Sequence, residues 1–352
     1  MNKKIKRIGL LTSGGDAPGM NAAVRAVVRM AEKNNVEVFG FLRGYEGLLD
    51  SNYTILTSSS VSNIIREGGT KLKTSRSKDF KDDPENQKHA AYVCMRNKLQ
   101  ALIVIGGDGS FKGMRVLSNL GVPTIGIPGT IDGDVKCSDN TIGLYTAIEE
   151  AVTLVDNLRA TANAMGRCFV VEIMGNMCGK LALLVAIATG ADFCVVPEVP
   201  YDIEKIAKHL QKRKELGKES HIIIVAEGCL GTQDGPKDIK DFARIIEEAS
   251  GIETKDQNLG YFVRSDRTSG LDRIISTELG IYAMKLFLKG KTNRVVAFNN
   301  GAIVDYDIEE ATTMERHFAM DLYNEFKTVA LIDDWIWYKK PAHYYEQVFR
   351  FL

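Results

Sequence analysis

Short runs of β-branched and other apolar residues alternate along this chain with longer amphipathic stretches, and this alternation restricts the fold more than any other feature. The pattern is typical of βαβ units, in which helices connect parallel strands and cover the sheet. Strands are predicted at residues 5–11, 36–42, 102–105, 124–127, 169–173, 193–196, 222–226 and 294–298. Helices are predicted at residues 20–33, 90–98, 145–160, 180–188, 203–216 and 241–249. The 352 residues suffice for two modest α/β domains or one large one.

The charge balance and the cysteines argue against several classes of protein. Lys and Arg together number 45, as do Asp and Glu, so no general basic surface for nucleic acid is expected. The 6 cysteines are scattered without a C-x-x-C pair, which fits reduced thiols better than a zinc site or a disulfide framework. The longest apolar stretch, residues 181–196, is interrupted by Gly190 and Asp192 and is too short to span a bilayer. We therefore expect a cytoplasmic protein with no nucleic-acid or membrane partner.

A glycine-rich loop with an acidic residue follows three of the predicted strands. These loops read TSGGD (12–16), GGDGS (106–110) and PGTIDGD (128–134). In open α/β sheets, ligands bind at the carboxyl ends of the strands. Three such loops from neighbouring strands would line one crevice.

The second loop has the composition of a phosphate site. Gly106, Gly107 and Gly109, with Gly113 beyond them, allow backbone N–H groups to approach an anion, and a helix that begins there adds its positive end. An aspartate in such a loop would repel phosphate unless a metal lay between them, so Asp108 is a candidate Mg²⁺ ligand. The alternative is an ordinary turn between a strand and a helix.

The third loop carries two carboxylates, Asp132 and Asp134, two residues apart. Phosphoryl transfer needs positioning, neutralisation of charge and an acceptor for the hydroxyl proton, so Asp132 suits a general base and Asp134 a supporting role. The alternative is that both only form turn hydrogen bonds. Arg167, Lys255 and Arg264 are candidate cations for a phosphate on the acceptor, although such a residue, taken singly, is more often a surface charge or half of a weak salt bridge.

An ordered series of motifs then covers nearly the whole chain. It comprises LTSGGDAPGMNAAVR (11–25), GYEGL (44–48), GGT (68–70), IGGDGS (105–110), PGTIDGDV (128–135), TIGLYTA (141–147), VEIMG (171–175), VVPE (195–198), IIIVAEG (222–228) and LDRI (271–274). The series resembles the ATP-dependent 6-phosphofructokinase family. The resemblance implies transfer of the ATP γ-phosphoryl group to the 1-hydroxyl of fructose 6-phosphate in glycolysis.

The resemblance also implies an architecture. It implies two three-layer α/β/α domains with mainly parallel sheets, assembled as a homotetramer whose substrate site is shared between subunits. The ATP-binding domain would span residues 1–143, and the chain would return to it at about 263–312. The sugar-phosphate domain would span residues 144–262 with about 313–352. The C-terminal segment after about residue 333 extends past the family's usual end, and its aromatic residues Trp335, Trp337, Tyr344 and Tyr345 are expected to pack on the core.

The resemblance assigns roles to individual residues. ATP would be held by Gly15, Tyr45, Arg76, Asp108, Gly109, Ser110 and Gly113, with Mg²⁺ on Asp108. Catalysis would use Asp132 as the base, with Thr130, Asp134 and Arg76. The sugar phosphate would contact Thr130, Asp132, Met174, Gly175, Asn176, Glu227, Tyr261 and Arg264, and would be reached by Arg167 and Lys255 from a neighbouring subunit. Arg25, Arg29 and Arg159 match effector-binding arginines.

Two positions in the family separate users of ATP from users of pyrophosphate. The pyrophosphate-dependent enzymes that this chain resembles usually carry Asp and Lys at these two positions, and those side chains fill the space of the ATP α-phosphate. This chain has Gly109 and Gly129, so ATP is favoured over pyrophosphate.

The sugar half departs from the family pattern. Asn176 stands where the family has Arg, Tyr261 where it has His, and Lys255 where it has Arg, while Gly133 replaces an Asn. Loss of an Arg removes charge or bidentate geometry. The sequence thus leaves open a weaker phosphofructokinase, an ATP-dependent kinase of another sugar phosphate such as sedoheptulose 7-phosphate, a pyrophosphate-dependent enzyme, and a regulatory subunit that binds sugar phosphate without catalysis.

Overall fold

The computed structural model describes residues 6–232 and 235–332. The C-terminal aromatic residues, for which packing on the core is predicted, lie outside the described residues. The described chain forms two compact units. The first unit contains the residues up to Glu150 and the segment Val263–His317, and the second contains Ala151–Phe262 and the residues from Phe318 onwards.

The described residues contain eleven strands, numbered here in chain order. They are β1 Lys6–Thr12, β2 Val36–Phe41, β3 Tyr53–Leu56, β4 Ala101–Gly106, β5 Thr124–Pro128, β6 Cys168–Ile173, β7 Phe193–Val195, β8 His221–Ala226, β9 Thr254–Asn258, β10 Arg294–Asn299 and β11 Ala302–Asp307. All eight strands predicted from apolar runs are present, with small shifts at their ends. The strands β3, β9 and β11 were not predicted.

The described residues also contain twelve α-helices, numbered in the same way. They are α1 Met20–Lys33, α2 Gly44–Leu49, α3 Lys78–Asp82, α4 Pro84–Arg96, α5 Asp108–Asn119, α6 Leu144–Met165, α7 Lys180–Thr189, α8 Ile203–Glu215, α9 Ile239–Ser250, α10 Gly270–Leu288, α11 Ile308–Thr313 and α12 Met320–Val329. Every predicted helix is present. No helix within the described ranges is long and apolar enough to cross a membrane.

The first unit is built on a seven-stranded sheet in the order β11-β10-β5-β4-β1-β2-β3. The five inner strands are parallel, and the edge strands β3 and β11 pair antiparallel with their neighbours. The register pairs Thr12 with Ile105 and Gly106 with Pro128, so β1, β4 and β5 end at one level. The three acidic glycine loops therefore leave the sheet side by side.

The second unit is built on a four-stranded parallel sheet in the order β7-β8-β6-β9. β6 and β8 are its inner strands, and nearly all of their residues are buried, as expected for a parallel sheet that is covered on both faces. Their register pairs Ile173 with Ala226, so the loops that begin at Met174 and at Glu227 also leave the sheet side by side. The predicted α/β fold with mainly parallel sheets is confirmed.

Candidate functional site

A cavity of about 510 Å³ lies in the first unit where β1, β4 and β5 end. Its lining includes every residue that the sequence assigned to the nucleotide or to the base, namely Gly15, Tyr45, Arg76, Asp108, Gly109, Ser110, Gly113, Thr130, Asp132 and Asp134. Residues that the sequence did not single out also line it, among them Lys78, Phe80, Lys81, Gln87 and Lys112. The structure thus brings the residues of the three loops into one pocket.

The floor of the pocket is main chain that packs too closely for side chains. The amide of Ser13 donates to the carbonyl of Ile105 at 2.9 Å, which ties the first loop to β4. A Cβ on Gly106 would lie 2.6 Å from the Ser13 carbonyl oxygen and 2.5 Å from the Ser110 hydroxyl. Because main chain cannot move aside, only glycine fits at position 106.

Helix α5 begins at Asp108 and directs the positive end of its dipole at the pocket. The Asp108 carboxylate lies 2.8 Å from the Lys112 ammonium one turn later. A Cβ on Gly109 would meet no atom within 4 Å, whereas one on Gly129 would lie 3.1 Å from both Ile105 and Met20. Position 109 therefore leaves room for a ligand, and position 129 is limited by packing below the pocket.

The loop that carries the two further carboxylates is held by main-chain pairing. The Thr130 amide donates to the Ile142 carbonyl at 3.1 Å, and the Thr130 hydroxyl accepts from the Asp132 amide at 3.1 Å. Gly133 has a φ of 67°, a left-handed conformation that glycine adopts without strain and asparagine tolerates. This explains why glycine can stand where the family has asparagine, with Asp132 and Asp134 still lining the pocket.

The carboxylates fit a magnesium ion that a nucleotide helps to bind. Among the described residues, no group of three or more His, Cys, Asp or Glu side chains could hold a metal ion alone. Mg²⁺ commonly takes one or two carboxylates and completes its shell with phosphate oxygens and water. Asp108 is suited to this role because it lies in the first turn of α5, where phosphate would also bind.

An aromatic pair forms a wall of the pocket. The rings of Tyr45 and Phe80 are stacked with their centroids 4.2 Å apart, and the Tyr45 hydroxyl donates to the Ser110 carbonyl at 2.7 Å. Burial raises the pKa of Tyr45 far above its usual range, so this hydroxyl stays a donor. A Cβ on Gly113 would lie 2.9 Å from the Phe80 ring, so glycine is required there to admit the pair.

The pocket is rich in cations. Arg76, Lys78, Lys81 and Lys112 all line it, together with the three aspartates. Four positive side chains and a helix N-terminus favour a ligand with several negative charges. The three lysines lie in segments without a recognisable motif, so no sequence pattern predicted them.

Arg264 also belongs to the first unit, but unlike the other predicted substrate residues of that unit it does not line the cavity. Its guanidinium lies 2.6 Å from the Asp16 carboxylate, at the end of the first loop. A Cβ on Gly15 would lie 3.1 Å from the same guanidinium, so glycine at that position leaves room for Arg264.

In the second unit, four of the predicted sugar residues, Met174, Gly175, Asn176 and Glu227, lie at the carboxyl ends of β6 and β8. Glu227 accepts a hydrogen bond from the Gly175 amide at 2.9 Å and another from the Asn176 amide. Asn176 has a φ of 52°, a left-handed conformation that asparagine tolerates better than most residues. Met174 directly precedes this pair, and Tyr261 has 77% of its surface exposed.

Arg167 and Lys255 lie at the opposite end of that sheet, where β6 and β9 begin. Both contact the Glu253 carboxylate at 3.2 Å, beside the first paired residues of β6 and β9. The six residues of β6 separate this end of the sheet from Gly175, a distance of roughly 20 Å at the usual rise per residue. The unit therefore does not bring these two cations together with Glu227.

The arginines that the resemblance assigns to an effector are divided between the units. Arg25 and Arg29 lie one turn apart on α1, and burial together with the charge of Arg29 lowers the pKa of Arg25. Arg159 in the second unit donates to the Thr189 carbonyl at 2.6 Å.

Comparison with known proteins agrees with the fold. A family model described as phosphofructokinase matches residues 7–287. An ATP-dependent 6-phosphofructokinase of Clostridium tetani is 43% identical over 326 residues, 93% of this chain and 100% of that protein. One of Clostridium botulinum (strain Alaska E43) is 42% identical over 321 residues, 91% of this chain and 98% of that protein.

Solved structures show the same likeness. Phosphofructokinase of Saccharomyces cerevisiae matches with a TM-score of 0.80 and 32% identity, covering 97% of this chain and 50% of that chain. The Pichia pastoris enzyme matches with a TM-score of 0.82 and 29% identity, covering 95% of this chain and 41% of that chain. This chain therefore spans about half the length of the yeast chains.

The parallel α/β fold, the three acidic loops and the relatives together define a phosphotransferase. Within that class the chain belongs to the phosphofructokinase family. The predictions of the family and of an enzyme of the ATP-dependent 6-phosphofructokinase type are confirmed.

Proposed function

We propose that this enzyme transfers the γ-phosphoryl group of ATP to the 1-hydroxyl of fructose 6-phosphate. The observation that carries the proposal is the convergence of three acidic glycine loops on one cation-rich cavity at the N-terminus of α5. The names of the clostridial relatives support the same donor and acceptor.

The nucleotide occupies the cavity of the first unit in this proposal. The main chain at Gly109 and Ser110 and the positive end of α5 bind its phosphates, and Arg76 neutralises charge that develops during transfer. Asp108 would hold a Mg²⁺ ion bound with the nucleotide, and that ion would neutralise phosphate charge. The aromatic pair of Tyr45 and Phe80 offers an apolar surface beside these polar groups. The open space at Gly109 supports ATP over pyrophosphate.

Asp132 acts as the general base. It takes the proton from the acceptor hydroxyl as the new P–O bond forms, and the bond to the leaving ADP oxygen breaks. Thr130 keeps the Asp132 main chain in place through its hydroxyl. Asp134 lines the same cavity and orients the groups around the acceptor or the metal.

The second unit supplies groups for the sugar. Met174, Gly175 and Glu227 lie together at the ends of β6 and β8, and the carboxylate of Glu227 orders the loop that begins at Met174. Arg264 binds the acceptor phosphate from the same chain. In a homotetramer, Arg167 and Lys255 reach that phosphate from a neighbouring subunit, and their position far from Gly175 in their own unit supports this division.

A second acceptor is favoured by the remodelled sugar residues. Asn176 supplies no charge where the family has arginine, and its left-handed conformation suits asparagine. Tyr261 and Lys255 also differ from the family pattern, so a related sugar phosphate such as sedoheptulose 7-phosphate is the alternative acceptor. Strong activity on fructose 6-phosphate alone would contradict this alternative.

The variant Asp132→Asn tests the proposed chemistry, because it keeps the shape of the side chain but cannot accept the proton. We expect kcat to fall by about 10²–10⁴-fold. The affinity for ATP with Mg²⁺, measured by calorimetry, should stay within about twofold, since general-base catalysis acts on the transition state rather than on nucleotide binding. Wild-type turnover by this variant would overturn the proposal.

A further inference from the structure

The LDRI motif contains a buried carboxylate that lies outside the catalytic cavity. Asp272 has no exposed surface and does not line the cavity. It accepts hydrogen bonds from the Gly143 amide at 3.0 Å, the Thr146 amide at 2.7 Å and the Thr146 hydroxyl at 2.6 Å. Asp272 thus binds the N-terminus of α6 from a position 129 residues further along the chain.

Asp272 is not needed to cap its own helix. The Ser269 hydroxyl caps α10 by accepting from the Asp272 amide at 3.2 Å. The Ser269 amide in turn donates to the Thr146 hydroxyl at 3.1 Å, so the two helix starts are joined by a closed set of hydrogen bonds. A carboxylate that is fully buried needs this many donors, because an unsatisfied buried charge is strongly unfavourable.

The segment next to Gly143 pairs with the loop that carries the base. The Ile142 amide donates to the Pro128 carbonyl at 2.9 Å, and the Ile142 carbonyl accepts from the Thr130 amide at 3.1 Å. The Thr141 hydroxyl donates to the Thr130 carbonyl at 2.6 Å. These three bonds hold the main chain two residues before Asp132.

Gly143 packs tightly against the loop that carries the base. Gly143 has a φ of 101°, and a Cβ there would lie 2.8 Å from Ala17 and 3.1 Å from Ile131. Since Ile131 directly precedes Asp132, this close packing couples the position of Gly143 to that of the base. Interiors packed at this density move as connected parts.

We propose that Asp272 is a positioning residue for catalysis: by fixing Gly143 and Thr146, it holds the paired segments 128–130 and 141–142 so that Asp132 meets the acceptor hydroxyl. This inference rests on the proposed role of Asp132 as the base. It also gives a physical reason for the joint presence of the TIGLYTA and LDRI motifs, which nucleotide binding does not use.

The variant Asp272→Asn tests the inference. An asparagine has one acceptor oxygen, and its NH₂ group would face a main-chain donor, so one of the two amide bonds is lost. We expect kcat to fall about 10–100-fold, as a small misplacement of a reacting group can cause. The KM for ATP should stay within about twofold. Hydrogen exchange should become about tenfold faster in residues 128–146 and remain unchanged in β1 and β2.

The variant Thr141→Val gives a second test with a matched control, Thr312→Val. Both threonines are buried, and both hydroxyls donate to a main-chain carbonyl, that of Thr130 at 2.6 Å and that of Ile308 at 2.8 Å. Thr312 lies on α11 and does not line the cavity. We expect Thr141→Val to lower kcat about three- to tenfold, and Thr312→Val to leave kcat unchanged despite a similar loss of thermal stability.

The outcomes separate this inference from the proposed function. If the kcat values and the exchange rates of Asp272→Asn and Thr141→Val equal those of the control Thr312→Val, Asp272 has no positioning role. If Asp272→Asn does not fold, Thr146→Val takes its place in this comparison, since it removes the 2.6 Å hydroxyl bond to Asp272. Full activity of Asp132→Asn would remove the proposed base, whereas faster exchange in residues 128–146 would still show that Asp272 holds this loop.

Discussion

The ion pair between Asp108 and Lys112 lies at the point where the proposed Mg²⁺ must bind. The carboxylate and the ammonium are 2.8 Å apart, and the Asp108 side chain is 20% exposed while that of Lys112 is 55% exposed. A metal that takes Asp108 competes with this ammonium for the carboxylate. Because the lysine is largely in solvent, the pair itself contributes little stability.

Removal of this competitor should lower the magnesium requirement of the enzyme. In Lys112→Met, we expect the Mg²⁺ concentration for half-maximal activity to fall about two- to threefold, which corresponds to the free energy of an exposed ion pair. A magnesium titration at fixed ATP measures it. Lys81→Met is the control for a general loss of positive charge, since Lys81 lines the same cavity. An unchanged or higher requirement in Lys112→Met would contradict the competition.

Two glycines of α5 should respond differently to the same substitution. A Cβ on Gly113 would lie 2.9 Å from Phe80 and 3.2 Å from Tyr45, whereas one on Gly109 meets nothing within 4 Å. Gly113→Ala should lower the free energy of unfolding by about 1–3 kcal/mol through overpacking. Gly109→Ala should be neutral or stabilising by up to about 1 kcal/mol, because alanine favours helices. Urea unfolding of both variants tests this, and equal effects would contradict it.

At the scale of elements, an ion pair with a buried carboxylate links the edge strand of the second sheet to its neighbour. Asp192, just before β7, is 4% exposed and accepts from the Ile222 amide of β8 at 3.0 Å. The Lys218 ammonium contacts the same carboxylate, and the His221 ring lies 3.6 Å away. Burial alone would raise the pKa of Asp192, but its contacts with His221 and Lys218 outweigh burial and lower it.

This pair makes the stability of the second unit dependent on pH. A carboxylate whose pKa is lower in the folded state stabilises the fold above its ordinary value of 3.8, and this contribution is lost as the pH falls through the lowered value. Lys218→Met should therefore lower the free energy of unfolding by about 1–3 kcal/mol near neutral pH. The difference from wild type should shrink below pH 3.8.

Urea unfolding at several pH values measures this effect. Lys214→Met is a suitable control, since Lys214 is an exposed residue near the end of α8. A difference that stays constant with pH would contradict the assignment to Asp192.

Apolar runs predicted the inner strands because these strands are buried on both faces. The sequence missed β9 because its residues, TKDQN, carry no apolar alternation, and the strand forms only because β6 offers an unpaired edge. β3 and β11 are antiparallel edge strands with several exposed or half-buried residues, so they also lack a continuous apolar signal. Tertiary pairing, rather than local propensity, decides these three elements.

At the scale of the whole molecule, the sequence identified the parts of the pocket that main-chain geometry requires. Glycines and aspartates after strands form recognisable motifs, and the parallel register brings them together. Phe80 and Lys112 reach the same cavity from segments without a motif. The contact of Asp272 with Gly143 could not be predicted either, since no local pattern indicates which distant helix a buried carboxylate will bind.

The most direct test of the central claim is a comparison of phosphoryl donors and acceptors with the wild-type protein. Initial rates would be measured for ATP and for pyrophosphate, each with fructose 6-phosphate, sedoheptulose 7-phosphate and tagatose 6-phosphate, at saturating Mg²⁺. The account predicts transfer from ATP to fructose 6-phosphate, with pyrophosphate at least about 100-fold less effective, since the open position 109 favours the larger donor. Equal or faster transfer from pyrophosphate, or no transfer to any sugar phosphate, would contradict it.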